Sequence, residues 1–185
     1  MDGTEGQAHG LRMIFLRLIP ILCAAALTGP GTGAAQPVHG SAPPPDSAAW
    51  FGLHFIDTST EGAINGVRED ETRRVEMAEQ VIAEDLRNRG FTLLEPPAAQ
   101  VAQIKNPTQS NGSDSRIARE MGAHYAISGE VQKVSNLILS LNLYVRDAAS
   151  GGTVRAGVVD IRGNTDESFR RGYLYLLKNI IFREE

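Results

Sequence analysis

Residues 137–146 read LILSLNLYVR, an unbroken alternation in which Leu137, Leu139, Leu141, Leu143 and Val145 are interleaved with Ile138, Ser140, Asn142, Tyr144 and Arg146. Successive side chains of a strand point to opposite faces, so this period describes a strand with one face in a core and the other mostly polar. Such a strand needs neighbours. The run HYAISGEVQK, residues 124–133, supplies one, and its Ile127 and Val131 join the leucine face only if an odd number of residues forms the connection. Val134, Ser135 and Asn136 are expected to be that three-residue hairpin loop, with Asn136 in the left-handed conformation it requires. AASGG, residues 148–152, makes the next turn, and TVRAGVVDI, residues 153–161, makes a fifth, less regular strand.

The preceding half of the folded part alternates strands with helices. AAWFGLHFI, residues 48–56, reads as a strand buried on both faces, and a loop holding Gly62 and Gly66 follows. From residue 69 to residue 89 the positions Val75, Ala78, Ile82 and Leu86 keep helical spacing. Glu69, Asp70 and Glu71 begin that helix and Arg87 and Arg89 end it, in accord with the helix dipole, before Gly90 stops it. FTLLE, residues 91–95, is a second short strand closed by Pro96 and Pro97. A brief helix is expected over 98–104, and another after Ser113 as cap, with Ile117 and Met121 on one face and Gly122 as stop. The last helix carries Phe169, Tyr173, Leu176, Leu177, Ile180 and Ile181 on one stripe; Asn164 or Thr165 caps it, and Asn164 with Glu167 has the spacing of a capping box.

This order, β-α-β-α-β-β-β-α, predicts an α/β (α+β mixed) fold: a five-stranded mixed sheet, order 2-1-3-4-5, with helices packed on it. Strands 1 to 3 are expected to be parallel through right-handed crossovers, and strands 3 to 5 an antiparallel meander.

The amino terminus has a different character. Arg12 and Arg17 precede an apolar run over 18–27 and small residues that end at Ala35, the layout of a secretory signal peptide over residues 1–35, cleaved near Ala35. A membrane anchor would need about 20 unbroken apolar residues, whereas this run contains Pro20 and stops at Thr28, Gly29 and Pro30. Met13 is an alternative start. The proline-rich stretch 36–47 reads as a flexible linker, leaving residues 48–185 as a single domain. The mature chain is therefore expected in the periplasm, with no transmembrane span. Its one cysteine, Cys23, leaves with the signal, and with it disulfide and thiolate chemistry. The net charge of −4 excludes nucleic acid as an expected partner.

FIDTSTEG (55–62), VQKVSNLILSLNLYVRD (131–147) and DIRGNTDESFRRG (160–172) together resemble a family of exported proteobacterial proteins classed as a domain of unknown function. The resemblance implies a periplasmic address and no established activity. More distantly, the element order resembles the amino-terminal domain of TolB and related envelope-assembly modules, which implies work by binding other proteins.

The residues themselves offer little chemistry. His54, Asp57 and Ser59 are the types of a hydrolase triad, but the histidine lies back inside the strand rather than between the other two. Asp57, Thr58 and Ser59 more simply end a strand through side-chain bonds to backbone. Asp160, Asp166 and Glu167 lack the spacing of a calcium loop, and the two last acids oppose a phosphate at the helix start despite Arg162 and Gly163. No metal or cofactor is expected. His124 is expected at a strand start, partly buried, while Tyr144 and Arg146 are either solvated or a binding surface.

The topology nevertheless gathers the three motifs. The carboxyl ends of strands 1, 3 and 5 would bring Asp57, Thr58 and Ser59, then Lys133, Ser135 and Asn136, then Arg162, Asn164 and Asp166 to one rim, where open sheets of this kind bind ligands. With strands about 4.8 Å apart, Asp57 and Arg162 are roughly 14 Å from each other and Lys133 lies between. The expected function is a non-catalytic periplasmic binding or envelope-assembly accessory module, its partner another periplasmic or envelope protein. The alternative is a small ligand sensor or enzyme using that rim.

Overall fold

A computed structural model describes residues 43 and 45–183; the expected signal peptide, and the linker up to residue 42 together with residue 44, lie outside the described residues. Five strands, β1 (Ser47–Asp57), β2 (Thr92–Leu94), β3 (Tyr125–Ser135), β4 (Ile138–Asp147) and β5 (Thr153–Arg162), form one sheet in the order β2-β1-β3-β4-β5. β1 runs parallel to β2 and β3, and β3, β4 and β5 are antiparallel, as the element order predicts.

Two helices cover one face, α2 (Glu69–Asn88) and α5 (Asp166–Leu176). Their stripes, Ala78, Ile82 and Leu86 on the first and Phe169, Tyr173 and Leu176 on the second, meet Ile127, Val131, Leu141, Leu143 and Val145 of the sheet in the main core. Each leucine or isoleucine fully buried there contributes roughly 1.5–3 kcal/mol. Leu141, expected in the middle of the core face, is 0% exposed. Gly172 lets α5 lie against it, since a Cβ at that position would come within 2.6 Å of Leu141 Cδ1. The stripe continues past α5 through a π-type turn, Leu177–Ile181, that seats Leu177 and Ile181 in the same core. The opposite face has a smaller cluster, in which Ala49, Phe51 and Ala126 meet Ile117 and Ala118 of α4 (Ser113–Glu120).

β1 changes phase along its length. Ala48 and Trp50 face the main core, and after a bulge between Trp50 and Leu53 it is Leu53 and Phe55 that do so. Gly52 sits in that bulge at φ 74°, where a side chain would be strained, and one residue more on β1 than on β3 restarts the alternation.

Several local expectations are corrected. The β3–β4 turn is Asn136 and Leu137 alone, because Ser135 pairs with Ile138. The odd residue that parity demands is supplied by a bulge between Lys133 and Ser135. Leu137 accordingly leaves the core face and is 71% exposed, and among the described residues the non-glycine residue at positive φ is Asn111, not Asn136. The expected loop after β1 holds a short helix, α1 (Thr60–Asn65). The brief helix expected over 98–104 is one turn, α3 (Ala98–Val101). Ser113 is the first residue of α4, not its cap, and Ser110 Oγ accepts from the Asp114 N–H instead. Thr165 caps α5 by accepting from Ser168 N–H at 3.2 Å, and Asn164 is drawn elsewhere. His124 is exposed, not partly buried, and its Nδ1 lies 2.5 Å from Asp46 Oδ2.

Candidate functional site

The phase set by Gly52 turns Asp57 onto the same face as its parallel neighbour Lys133. Lys133 continues the core face of β3, after Ile127, Gly129 and Val131, so its stem is enclosed by apolar side chains and the residue is 0% exposed. Its ammonium has three donors and meets three carboxylates. Glu71 Oε1 lies at 2.6 Å, Asp57 Oδ2 at 3.1 Å and Glu61 Oε2 at 3.2 Å. Burial alone would depress the Lys133 pKa; the bonds to Glu71, Asp57 and Glu61 outweigh it and hold the ammonium above its ordinary value. Burial likewise opposes ionisation of Asp57, but bonds from Ser59 and Lys133 leave its carboxyl below the usual range. Bonds from Lys133 and Asn136 lower Glu61 in the same direction.

The network spreads to the other rim segments. Glu71 Oε1 also accepts from Asn164 Nδ2 at 2.8 Å, and Glu71 Oε2 from the Arg68 N–H at 3.2 Å. Arg74 donates to Asn164 Oδ1 at 2.8 Å and to Asp166 Oδ1 at 3.0 Å, with its guanidinium over the Phe169 ring. Asp57 Oδ1 accepts from the Ser59 N–H and hydroxyl, Ser59 Oγ caps α1 by accepting from Gly62 N–H, and Thr58 Oγ1 donates to the Lys133 carbonyl at 3.0 Å. Ser135 Oγ accepts from the Leu137 and Ile138 amides of the turn, and Asn136 Nδ2 donates to Glu61 Oε2 at 2.6 Å. The backbone closes the ring, Asn164 N–H bonding to the Asn136 carbonyl at 3.0 Å.

Seven of the nine residues picked from the sequence thus meet in one connected polar cluster, Asp57, Thr58, Ser59, Lys133, Asn136, Asn164 and Asp166, while Ser135 holds only its own turn. The ninth, Arg162, is exposed and its side chain has no partner among the described residues. Glu61, Glu71 and Arg74 were not foreseen. Arg74 and Glu71 extend the buried stripe of α2 backward from Ala78 by one and two turns, and that spacing is the signal that separates Glu71 from the exposed acids beside it. Chemically the cluster is a lock: its cation is charged, enclosed and engaged by three carboxylates, of which Asp57 Oδ2 is held by proximity of charge at 3.1 Å rather than by an aligned hydrogen bond.

The other candidates disperse. His54 lies on the face opposite Asp57, since the post-bulge core face carries the odd-numbered residues of β1. Asp160 accepts from Ser140 Oγ at 2.6 Å, Asp166 pairs with Arg74 and Glu167 with Arg171. Arg146 is neither solvated nor free: it stacks over Tyr144 and donates to Asp114 Oδ2 at 2.5 Å and to the Thr108 carbonyl at 2.6 Å, fastening the segment before α4 to the sheet. No helix of the described residues is long and apolar enough to cross a membrane.

No curated protein matches the chain. Similar solved structures include the PelC dodecamer from Paraburkholderia phytofirmans, 17% identical with a TM-score of 0.49, matching 78% of this chain and 96% of that one. The LpoB C-terminal domain from Salmonella enterica is 17% identical with a TM-score of 0.43, matching 66% of this chain and 85% of that one. TolB from Acinetobacter baumannii is 12% identical with a TM-score of 0.38, matching 77% of this chain and 30% of that one. Residues 46–181, nearly all of the folded part, match the model of one family, and the chain is a member of it: DUF3280, described as a protein of unknown function (DUF2380).

Proposed function

We propose that this chain is an exported accessory module of the periplasm that works by binding another envelope protein, without catalysis, and that the rim is its docking surface. The carrying observation is where exposed apolar side chains lie. Ile64 and Val67, on and just after α1, and Val134, Leu137 and Ile138, at the β3–β4 turn, are between 38% and 76% exposed. Glu61 joins these two segments through Lys133 and Asn136. The ionic groups inside the rim pair with one another while these five apolar side chains lie on its outside, and clustered exposed apolar surface marks protein interaction sites. In this reading the sequence-selected residues Asp57, Lys133, Asn136 and Asn164 shape the surface rather than touch a substrate. Export is read from residues 1–35.

The test uses the mature domain, immobilised, to capture partners from envelope extract, beside Ile64→Asp and Leu137→Asp variants, with melting of all three recorded. Capture lost in both variants at unchanged melting supports the rim. Equal capture by all three, or a thermal shift with metabolites and no protein partner, would sink it in favour of a small-ligand sensor or enzyme. Mass spectrometry of the periplasmic protein should find an amino terminus near Gln36.

A further inference from the structure

β2 covers only the first part of its neighbour. It pairs with Ser47, Ala48 and Ala49 of β1 and ends at Leu94, where Pro96 and Pro97 follow. Among the described residues, the edge of β1 away from β3 pairs with no strand from Trp50 to Asp57. The Thr58 N–H bonds to the Lys133 carbonyl, so even-numbered amides of this stretch face β3 and those of Leu53, Phe55 and Asp57 face the open edge. Unpaired edges of this length are templates for another strand.

Beside the edge lies a groove of about 510 Å³, where the line of β2 would continue, with Trp50, Leu93 and Leu94 as apolar walls. Its charged lining is Glu79, Glu95 and Arg87. Glu79 Oε1 accepts the Leu53 N–H at 2.6 Å, standing where the carbonyl of an adjacent strand would be. Among the described residues no cation pairs with Glu79. Burial pushes its carboxyl above the ordinary range, the Leu53 bond opposes that, and nearby Glu76 adds to it. A strand that took the Leu53 N–H would leave this half-buried carboxylate seeking a cation.

The geometry points to β1 residues 50–57 as an acceptor edge for an extended segment of a partner protein, added in line with β2 and carrying a Lys or Arg side chain that pairs with Glu79. Backbone bonds give such a mode its affinity and the groove its selectivity. The surface is separate from the apolar rim, and the inference stands or falls without it.

Panning a phage-displayed random nonapeptide library against the chain tests this, with hydrogen exchange at the Phe55 amide as readout and the Ile56 amide, which faces β3, as internal control. Enriched peptides should alternate apolar residues, carry one basic residue at a fixed place, and slow exchange at Phe55 while Ile56 is unchanged. Glu79→Gln, which keeps an acceptor for Leu53, should weaken them about tenfold and remove the preference for a basic residue. The inference is overturned if no peptide is enriched over bare support, if bound peptides leave Phe55 exchange unaltered, or if Glu79→Gln binds them equally. Protection of Phe55 that appears on concentrating the chain alone would assign the edge to a second copy and also overturn it.

Discussion

The sheet carries a buried polar cluster on each face, and the two are built differently. On the α2 and α5 face, Lys133 serves three carboxylates, and Lys133 and Glu71 are at most 1% exposed. On the other face Arg146 serves Asp114 and a carbonyl, while Glu130 accepts from Asn106 Nδ2 and the Thr108 hydroxyl without a cation. The first cluster concentrates its charge on one atom. The second divides its polar groups among neutral donors, and Asp114 keeps a bond from Ser110 Oγ at 2.6 Å if Arg146 is removed. Carboxylates that share one ammonium lose it together, whereas acids served by separate donors lose them in parts.

Lys133→Met should therefore have the largest effect. It strands Asp57 and Glu71 without their cation and should cost about 3–5 kcal/mol, measured by urea denaturation. A variant that unfolds at the wild-type midpoint would show that the cluster is hydrated. Arg146→Ala should cost about 1–3 kcal/mol and speed hydrogen exchange through residues 106–114, leaving the β3–β4 turn unaffected. Comparable losses from both substitutions would erase the contrast.

Acid sharpens it further. The Asp57 and Glu61 carboxyls are lowered from ordinary values of 3.8 and 4.5, so the stability they contribute is present above those values and lost as pH falls through the lowered ones. In Lys133→Met the same acids lose that support and favour their protonated forms. The gap between wild type and variant should narrow as pH is taken from neutrality to below about 4, in denaturation at several pH values; a constant gap would mean the carboxylates do not depend on Lys133. The smallest effect belongs to Arg162→Ala, expected within about 0.5 kcal/mol of wild type by thermal melting, because its side chain is exposed and outside the network. A larger loss would place it in the cluster after all.

The strand order and the meeting of distant motifs were legible because both depend on alternation and connection length, which act over whole elements. The alternation of residues 137–146 identified the Leu139, Leu141 and Leu143 face correctly, but could not locate Leu137, whose fate was decided by a bulge at residue 134. The cluster was half legible. Lys133 and Asp57 were placed on one rim by topology, yet their partner Glu71 read as an ordinary helix-start acid and Glu61 fell in an expected loop, since burial of an acid depends on what packs over it. Asn164 was read as a cap because its spacing to Glu167 suits one; a long-range bond to Arg74 outweighed the local one. Gly52 was the visible sign of the bulge that aims Asp57, for a glycine inside an apolar strand marks such irregularities.

That glycine works like a frameshift written in side chains. Were β1 to pair regularly through position 52, every later residue would be kept and what each one addresses reversed: His54 and Ile56 would be turned inward, and Asp57 would leave Lys133 for the opposite side. The identity of the rim thus resides less in its acids than in the backbone irregularity that precedes them, so a lineage could lose this arrangement by one substitution at codon 52 without altering any residue that forms it.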